Sequence, residues 1–170
     1  TEAFAWLLNE VQDLSAELFA QDFHDFERNK WNEIQWETQK TIYADVGRGY
    51  IDLLGRTIDS STCFIIENKT GTDFHDNQLN RYCDAIKKEC RTKSVHLITI
   101  TEKPTSKDSV PENTVRLRWN DINEKIKTYL AEKNDSLSER DVFLLNDFSD
   151  LLINGGLCMS SEPISSVVLK

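Results

Sequence analysis

At 170 residues, 39% hydrophobic and 29% charged, the chain has the composition of one globular domain with room for a real core. No run approaches the ~20 apolar residues of a membrane span, and no basic-apolar-small pattern marks a signal peptide. A net charge of -9 excludes a protein that grips nucleic acid by general electrostatics alone, while leaving local basic surface open.

Residues 3–20, "AFAWLLNEVQDLSAELFA", space Phe4, Leu7, Leu8, Val11, Leu14 and Leu18 at helical intervals and predict one amphipathic helix. The polar-aromatic "QDFHDFERNK" reads as a turn or short irregular helix, and residues 33–44 as a strand ended by "VGRG". "YIDLLGRTIDSSTCFIIENK" reads as two strands around a tight turn at Asp59-Ser60, a register that sets Asp52 opposite Glu67. A slip of one residue would send the two acids to different faces. Period-two alternation then puts Glu67 and Lys69 on one side of the second strand and Asn68 on the other.

Residues 76–90 predict a helix with Leu79, Tyr82, Cys83, Ile86 and Cys90 on its apolar stripe and Gln78 at the border. "SVHLITIT" (94–101) is a buried-type strand, and a long polar loop leads to a short strand, "TVRLRW". Residues 120–133 are helical, with Ile122, Ile126, Tyr129 and Leu130 facing inward. A last helix is expected from Ser136, in a Ser-x-x-Glu capping box with Glu139, to the Gly155-Gly156 stop. "PISSVVLK" is a terminal strand or a tail. The order implies an α/β fold, a mixed β-sheet flanked by helices.

The cysteines (Cys63, Cys83, Cys90, Cys158) form no C-x-x-C pair, and His24, His75 and His96 add no zinc spacing. They read as reduced thiols of an intracellular, cytoplasmic protein. His75 reads as an exposed loop residue within reach of a phosphate. Lys87, Lys88, Arg91 and Lys93 form one basic cluster, and Arg116 with Arg118 a second.

The run Cys63-Phe64-Ile65-Ile66 drives an apolar strand directly into Glu67, Asn68 and Lys69. Burying charge there is costly unless something compensates. Two carboxylates that converge repel one another, and a hard divalent cation such as Mg²⁺ or Mn²⁺ relieves this. Such an ion acidifies water and offsets charge on a phosphoryl oxygen, and a lysine on the same side stabilises developing charge. An isolated D…E-x-K triplet is commonly no more than a strand-end salt bridge. Here the apolar strand, the register of Asp52 and a Gln-x-x-x-Tyr helix agree.

"RGYIDLLG", "CFIIENKTGT" and "NQLNRYCDAI", in this order, resemble the PD-(D/E)XK nuclease superfamily, in particular a bacterial and phage group. "FAWLL" is similar to that group's first helix and "VRLRWNDINEKI" to its later strand-helix segment, so the likeness spans roughly residues 3–130. The resemblance implies a restriction-endonuclease-like sheet. It makes Asp52 and Glu67 metal ligands, Lys69 the catalytic lysine and the Asn68 carbonyl a further ligand. Gln78 would lean toward the metal or the nucleic acid, while Tyr82 packs or contacts phosphate. Arg48 and Arg81 are candidate phosphate contacts. The proline usual before the first acid is replaced by Ile51. The acid that many members carry on or before the first helix falls upstream of Thr1, leaving Glu2, Glu10 and Glu17 as candidates within the chain.

The expectation is therefore a Mg²⁺- or Mn²⁺-dependent endonuclease cutting DNA in preference to RNA, from a phage or defence setting. The alternatives are a silent nuclease-fold binding module, or a nuclease domain activated only by a partner. Residues 1–133 are expected to form the nuclease-like core. Residues 134–170 would form a helix and tail packed on that core or on a partner chain, so a homodimer or an additional domain or subunit stays open.

Overall fold

A computed structural model describes residues 1–44, 47–70, 77–90, 92–104, 110–133 and 135–158. In chain order its elements are α1 (Glu2–Glu10), α2 (Leu14–Phe19), β1 (Gln35–Ala44), β2 (Gly47–Arg56), β3 (Thr62–Lys69), α3 (Gln78–Cys90), β4 (Ser94–Thr101), β5 (Val115–Arg118), α4 (Trp119–Lys133) and α5 (Glu139–Asn154). Short 3₁₀ turns at Ala20–Asp22 and Arg28–Glu33 fill the polar-aromatic stretch between α2 and β1.

The five strands make one mixed sheet in the order β1-β2-β3-β4-β5. β1, β2 and β3 pair antiparallel, and β3, β4 and β5 pair parallel. This is the helix-flanked, restriction-endonuclease-like arrangement expected from the sequence. The central strand β3 explains the uninterrupted apolar run, because both of its faces are covered. Phe64 and Ile66 enter a core built with α1, α2, α4 and α5, while Cys63 and Ile65 enter a second core beneath α3. In the first core Trp31 lies 4.6 Å from Phe64 between ring centroids, and Phe4 stacks on Phe148 of α5 at 5.5 Å. Leu145, Phe148 and Leu152 thus place α5 in the same core as the N-terminal helices.

Two local expectations are corrected. The helix over residues 3–20 is broken at Val11–Asp13, where Asp13 adopts a left-handed φ of 62°. Tertiary partners take the groups at the break. The Asn9 side-chain amide both donates to and accepts from the backbone of Trp36 at 2.9 Å, and the Tyr129 hydroxyl donates to the Gln12 carbonyl at 2.9 Å. The N-cap of α5 is Ser138, whose Oγ accepts from the Asp141 amide, two residues after the expected Ser136. Ser136 instead donates its hydroxyl to the Lys133 carbonyl and closes the end of α4. The C-terminal stop is as expected, with Gly156 at a φ of +73°. "PISSVVLK", His75 and Arg91 lie outside the described residues.

Candidate active site

The site is fixed by the β2–β3 turn. Asp59 Oδ1 accepts from the Thr57 hydroxyl at 2.7 Å and from the Ser61 amide at 2.9 Å, and Ser60 takes a φ of 54°. That turn sets Arg56 opposite Cys63 and Leu53 opposite Ile66, which is the expected register. At the next position, Asp52, the backbone ladder stops. Asp52 Oδ2 accepts the Asn68 amide proton at 2.8 Å instead, so the side chain acts as the acceptor where the strands part.

Asp52 also sits at a defect on its other side. The β1–β2 ladder pairs Thr38 with Leu53 and Lys40 with Ile51, skipping Gln39 and Asp52, and Gln39 holds a left-handed φ of 51°. Trp36 and Leu53, on one side of the defect, enter the first core, while Ile42 and Ile51, on the other, enter the second. The hairpin therefore changes faces at the residue that carries the first acid. Non-glycine residues in this region of backbone space are held only where surrounding structure enforces them.

Glu67 ends the buried part of β3 and is only 4% exposed. Burial and the neighbouring Asp52 carboxylate push it up to about 7, with the Lys69 ammonium opposing them. Lys69 Nζ lies 3.6 Å from Glu67 Oε1. Gln78 is the first residue of α3, and Asn77 before it turns the chain with a φ of 60°. Its Nε2 donates both to Glu67 Oε1 at 2.9 Å and to the Tyr82 hydroxyl at 2.8 Å. Glu67 Oε2 and Gln78 Oε1 are buried with no hydrogen-bond partner among the described residues. Oxygen acceptors left over beside two repelling carboxylates are what a hard cation with its waters would satisfy.

A family model described as the PD-(D/E)XK nuclease superfamily matches residues 4–148. The chain belongs to that superfamily. No curated protein matches the sequence. Among solved structures, that of AF1548, a protein of unknown function, is similar over 84% of this chain and 98% of its own, at 10% identity and a TM-score of 0.40.

Of the residues expected at a PD-(D/E)XK centre, Asp52, Glu67, Lys69 and Gln78 meet at the end of β3. Tyr82 is buried in the second core with its hydroxyl one hydrogen bond from the site. Arg48 and Arg81 are exposed, and neither pairs with Asp52 or Glu67 among the described residues. Glu10 and Glu17 are engaged elsewhere, with Arg140 and Arg28. Among the described residues no third acidic, cysteine or histidine side chain joins the two carboxylates in a metal-holding group. Thr1 does adjoin the site, its Oγ1 lying 3.1 Å from Asn68 Nδ2, and Glu2 in the first turn of α1 is exposed.

No disulfide joins Cys63, Cys83 or Cys158 among the described residues, and burial pushes Cys83 up to about 11, which suits packing and not nucleophilic chemistry. Sequence reading missed Thr99. It pairs with Glu67 across the parallel β3–β4 ladder and is fully buried, and its hydroxyl has no partner among the described residues. The one signal for it was a polar residue inside the apolar run of β4, whose position beside Glu67 depends on a long-range pairing.

Proposed function

We propose that this chain is a metal-dependent endonuclease that hydrolyses phosphodiester bonds, in DNA before RNA. The observation that carries the reading is the convergence of Asp52, Glu67 and Lys69 where the β2–β3 ladder ends, with Glu67 Oε2 buried and without a hydrogen-bond partner among the described residues. Asp52 and Glu67 would hold Mg²⁺ or Mn²⁺, with the Asn68 carbonyl as a further ligand. When bound, the ion supplies Lewis acidity toward water and toward a phosphoryl oxygen.

The remaining work falls to this chain's own groups. Gln78 fixes Glu67 Oε1 by a hydrogen bond, which leaves Oε2 as the atom available to a ligand. The Asn68 amide fixes Asp52 Oδ2 in the same way. Lys69 brings a positive charge to the side of the strand that carries Glu67, where it can orient a water or stabilise charge growing on a phosphate oxygen. Lys69 Nζ lies 3.6 Å from Glu67 Oε1, so the ammonium stands close to the position a scissile phosphate would take.

The test is nicking of supercoiled plasmid in Mg²⁺ or Mn²⁺ by the wild-type chain and by Lys69→Ala and Asp52→Asn. Metal-dependent nicking lost in both variants supports the reading. A wild-type chain that cuts neither DNA nor RNA with either ion overturns it in favour of a silent nuclease-fold binding module.

A further inference from the structure

The outer half of the β1–β2 hairpin has a use that the acids and lysine do not explain. Beyond the break at Gln39 and Asp52, its ladder resumes at Lys40–Ile51 and runs to Ala44–Gly47. One face of this arm is clamped to α3. Ile42 and Ile51 are fully buried, Lys40 pairs with Glu89 at 2.8 Å, and a Cβ on Gly49 would lie 3.0 Å from Tyr82 Cε1. The other face carries the cross-strand pairs Thr41–Tyr50 and Tyr43–Arg48. On it Tyr43 is 79% and Tyr50 51% exposed, and the Arg48 guanidinium lies 4.8 Å from the Tyr50 ring centroid.

Among the described residues no element packs over these rings, whereas the solvent face of a half-buried antiparallel pair is ordinarily polar. The face also lies close to the site in the chain, though on the side of the hairpin away from α3. Tyr50 lies two residues before Asp52, roughly 7 Å along the strand. Gly49 of the arm packs against the Tyr82 ring, and the Tyr82 hydroxyl accepts a hydrogen bond from Gln78, which holds Glu67. A platform here is therefore fixed relative to the reacting centre.

The chemistry of the face selects its occupant. Exposed tyrosine rings offer stacking surfaces to nucleobases, and a guanidinium between them suits a phosphate or a base plane. Stacking requires base faces that a duplex keeps covered. A chain of net charge -9 also gains little from general attraction to phosphates, so stacking is the contact left to it. We propose that the Tyr43–Arg48–Tyr50 face binds unpaired nucleotides of the substrate strand beside the catalytic cluster, which makes single-stranded or frayed nucleic acid the preferred substrate. This rests on the nuclease reading above and narrows its substrate class.

The experiment is fluorescence anisotropy of labelled oligo(dT), oligo(U) and an oligo(dA)·oligo(dT) duplex in metal-free buffer, with cleavage of the same probes measured in Mn²⁺. Oligo(dT) should bind more tightly than the duplex. Tyr43→Ala and Tyr50→Ala should each weaken single-strand binding roughly five- to hundredfold, with Phe replacements restoring it. The alanine variants should keep the salt dependence, whereas Arg48→Ala should lower its log-log slope by about 0.7 if it contacts one phosphate. Unchanged single-strand affinity in a well-folded Tyr43→Ala/Tyr50→Ala variant overturns the proposal. So does equal or tighter binding of the duplex, or a dimer-to-monomer shift in gel filtration at unchanged affinity, which would give the face to a second copy of the chain. The two readings can fail separately. Tyrosine-dependent binding without metal-dependent cleavage removes the nuclease reading and keeps the platform. Cleavage with tyrosine-independent affinity and KM removes the platform alone.

Discussion

Replacing Glu67 by glutamine should stabilise the metal-free protein above neutral pH. Burial and Asp52 raise the Glu67 carboxyl from 4.5 to about 7, so its folded-state pKa lies above its unfolded one. The folded state then binds the extra proton. The stability this contributes is full below about pH 4.5 and is lost as pH rises through about 7. A shift of that size corresponds to roughly 3 kcal/mol at pH 8. Glu67→Gln keeps the shape and the bond from Gln78 while removing the charge, so it should recover most of that amount at about pH 8 and little at about pH 4.5. For a domain of this length the gain reads as roughly 6–12 °C in Tm. Urea or thermal denaturation in EDTA at the two pH values measures it. A divalent ion at about a hundred times its Kd should stabilise wild type by roughly 2.7 kcal/mol and leave Glu67→Gln nearly unmoved. Equal stability of the two proteins at about pH 8 without metal would refute the reasoning, because it would mean that Asp52 and burial do not strain this carboxylate.

Gln78→Leu should cost about 1–3 kcal/mol in chemical denaturation, since it strips the donor from both Glu67 Oε1 and the Tyr82 hydroxyl inside a buried region. A loss confined to activity, with no change in stability, would show that these bonds are not closed in the free protein. Gly55→Ala should destabilise by about 1–3 kcal/mol, because a Cβ there would stand 2.7 Å from Trp36 Cζ3 and 2.9 Å from Ile34 Cγ2. A Tm equal to wild type would disprove that packing. His96 stacks 5.0 Å from Phe64, and burial holds its imidazole below the usual value of 6.5 against the pull of Asp25. Its contribution is present above about pH 6.5 and is lost as pH falls, so His96→Phe should flatten the acid side of a stability-versus-pH curve. An acid limb that keeps its slope in the variant would assign it to other groups.

Much of the site was legible because it is built from local pattern. The Asp59-Ser60 turn specifies the register, and register with period two fixes which residues share a side, so Asp52, Glu67 and Lys69 could be brought together on paper. The stripe through Leu79, Tyr82 and Ile86 likewise placed Gln78 at the border of the buried face. In both cases the relevant partners lie within one hairpin or one helix, where backbone geometry alone sets the spacing.

What the chain alone determined is thus its periodicity: which segments are strand or helix, and which residues share a face within each. Only the tertiary structure decided where those segments bend and what meets across them. The helix break at Asp13 depends on Asn9 reaching Trp36 and on Tyr129 reaching Gln12, and the capping serine of α5 depends on how α4 closes. The change of faces at Gln39, the burial of Thr99 beside Glu67 and the fixing of the Tyr43–Tyr50 arm over Tyr82 all arise between elements far apart in sequence. A hydrophobic pattern specifies that a face is covered. It carries no information on which distant donor or ring does the covering, because that is settled by packing the whole core at once.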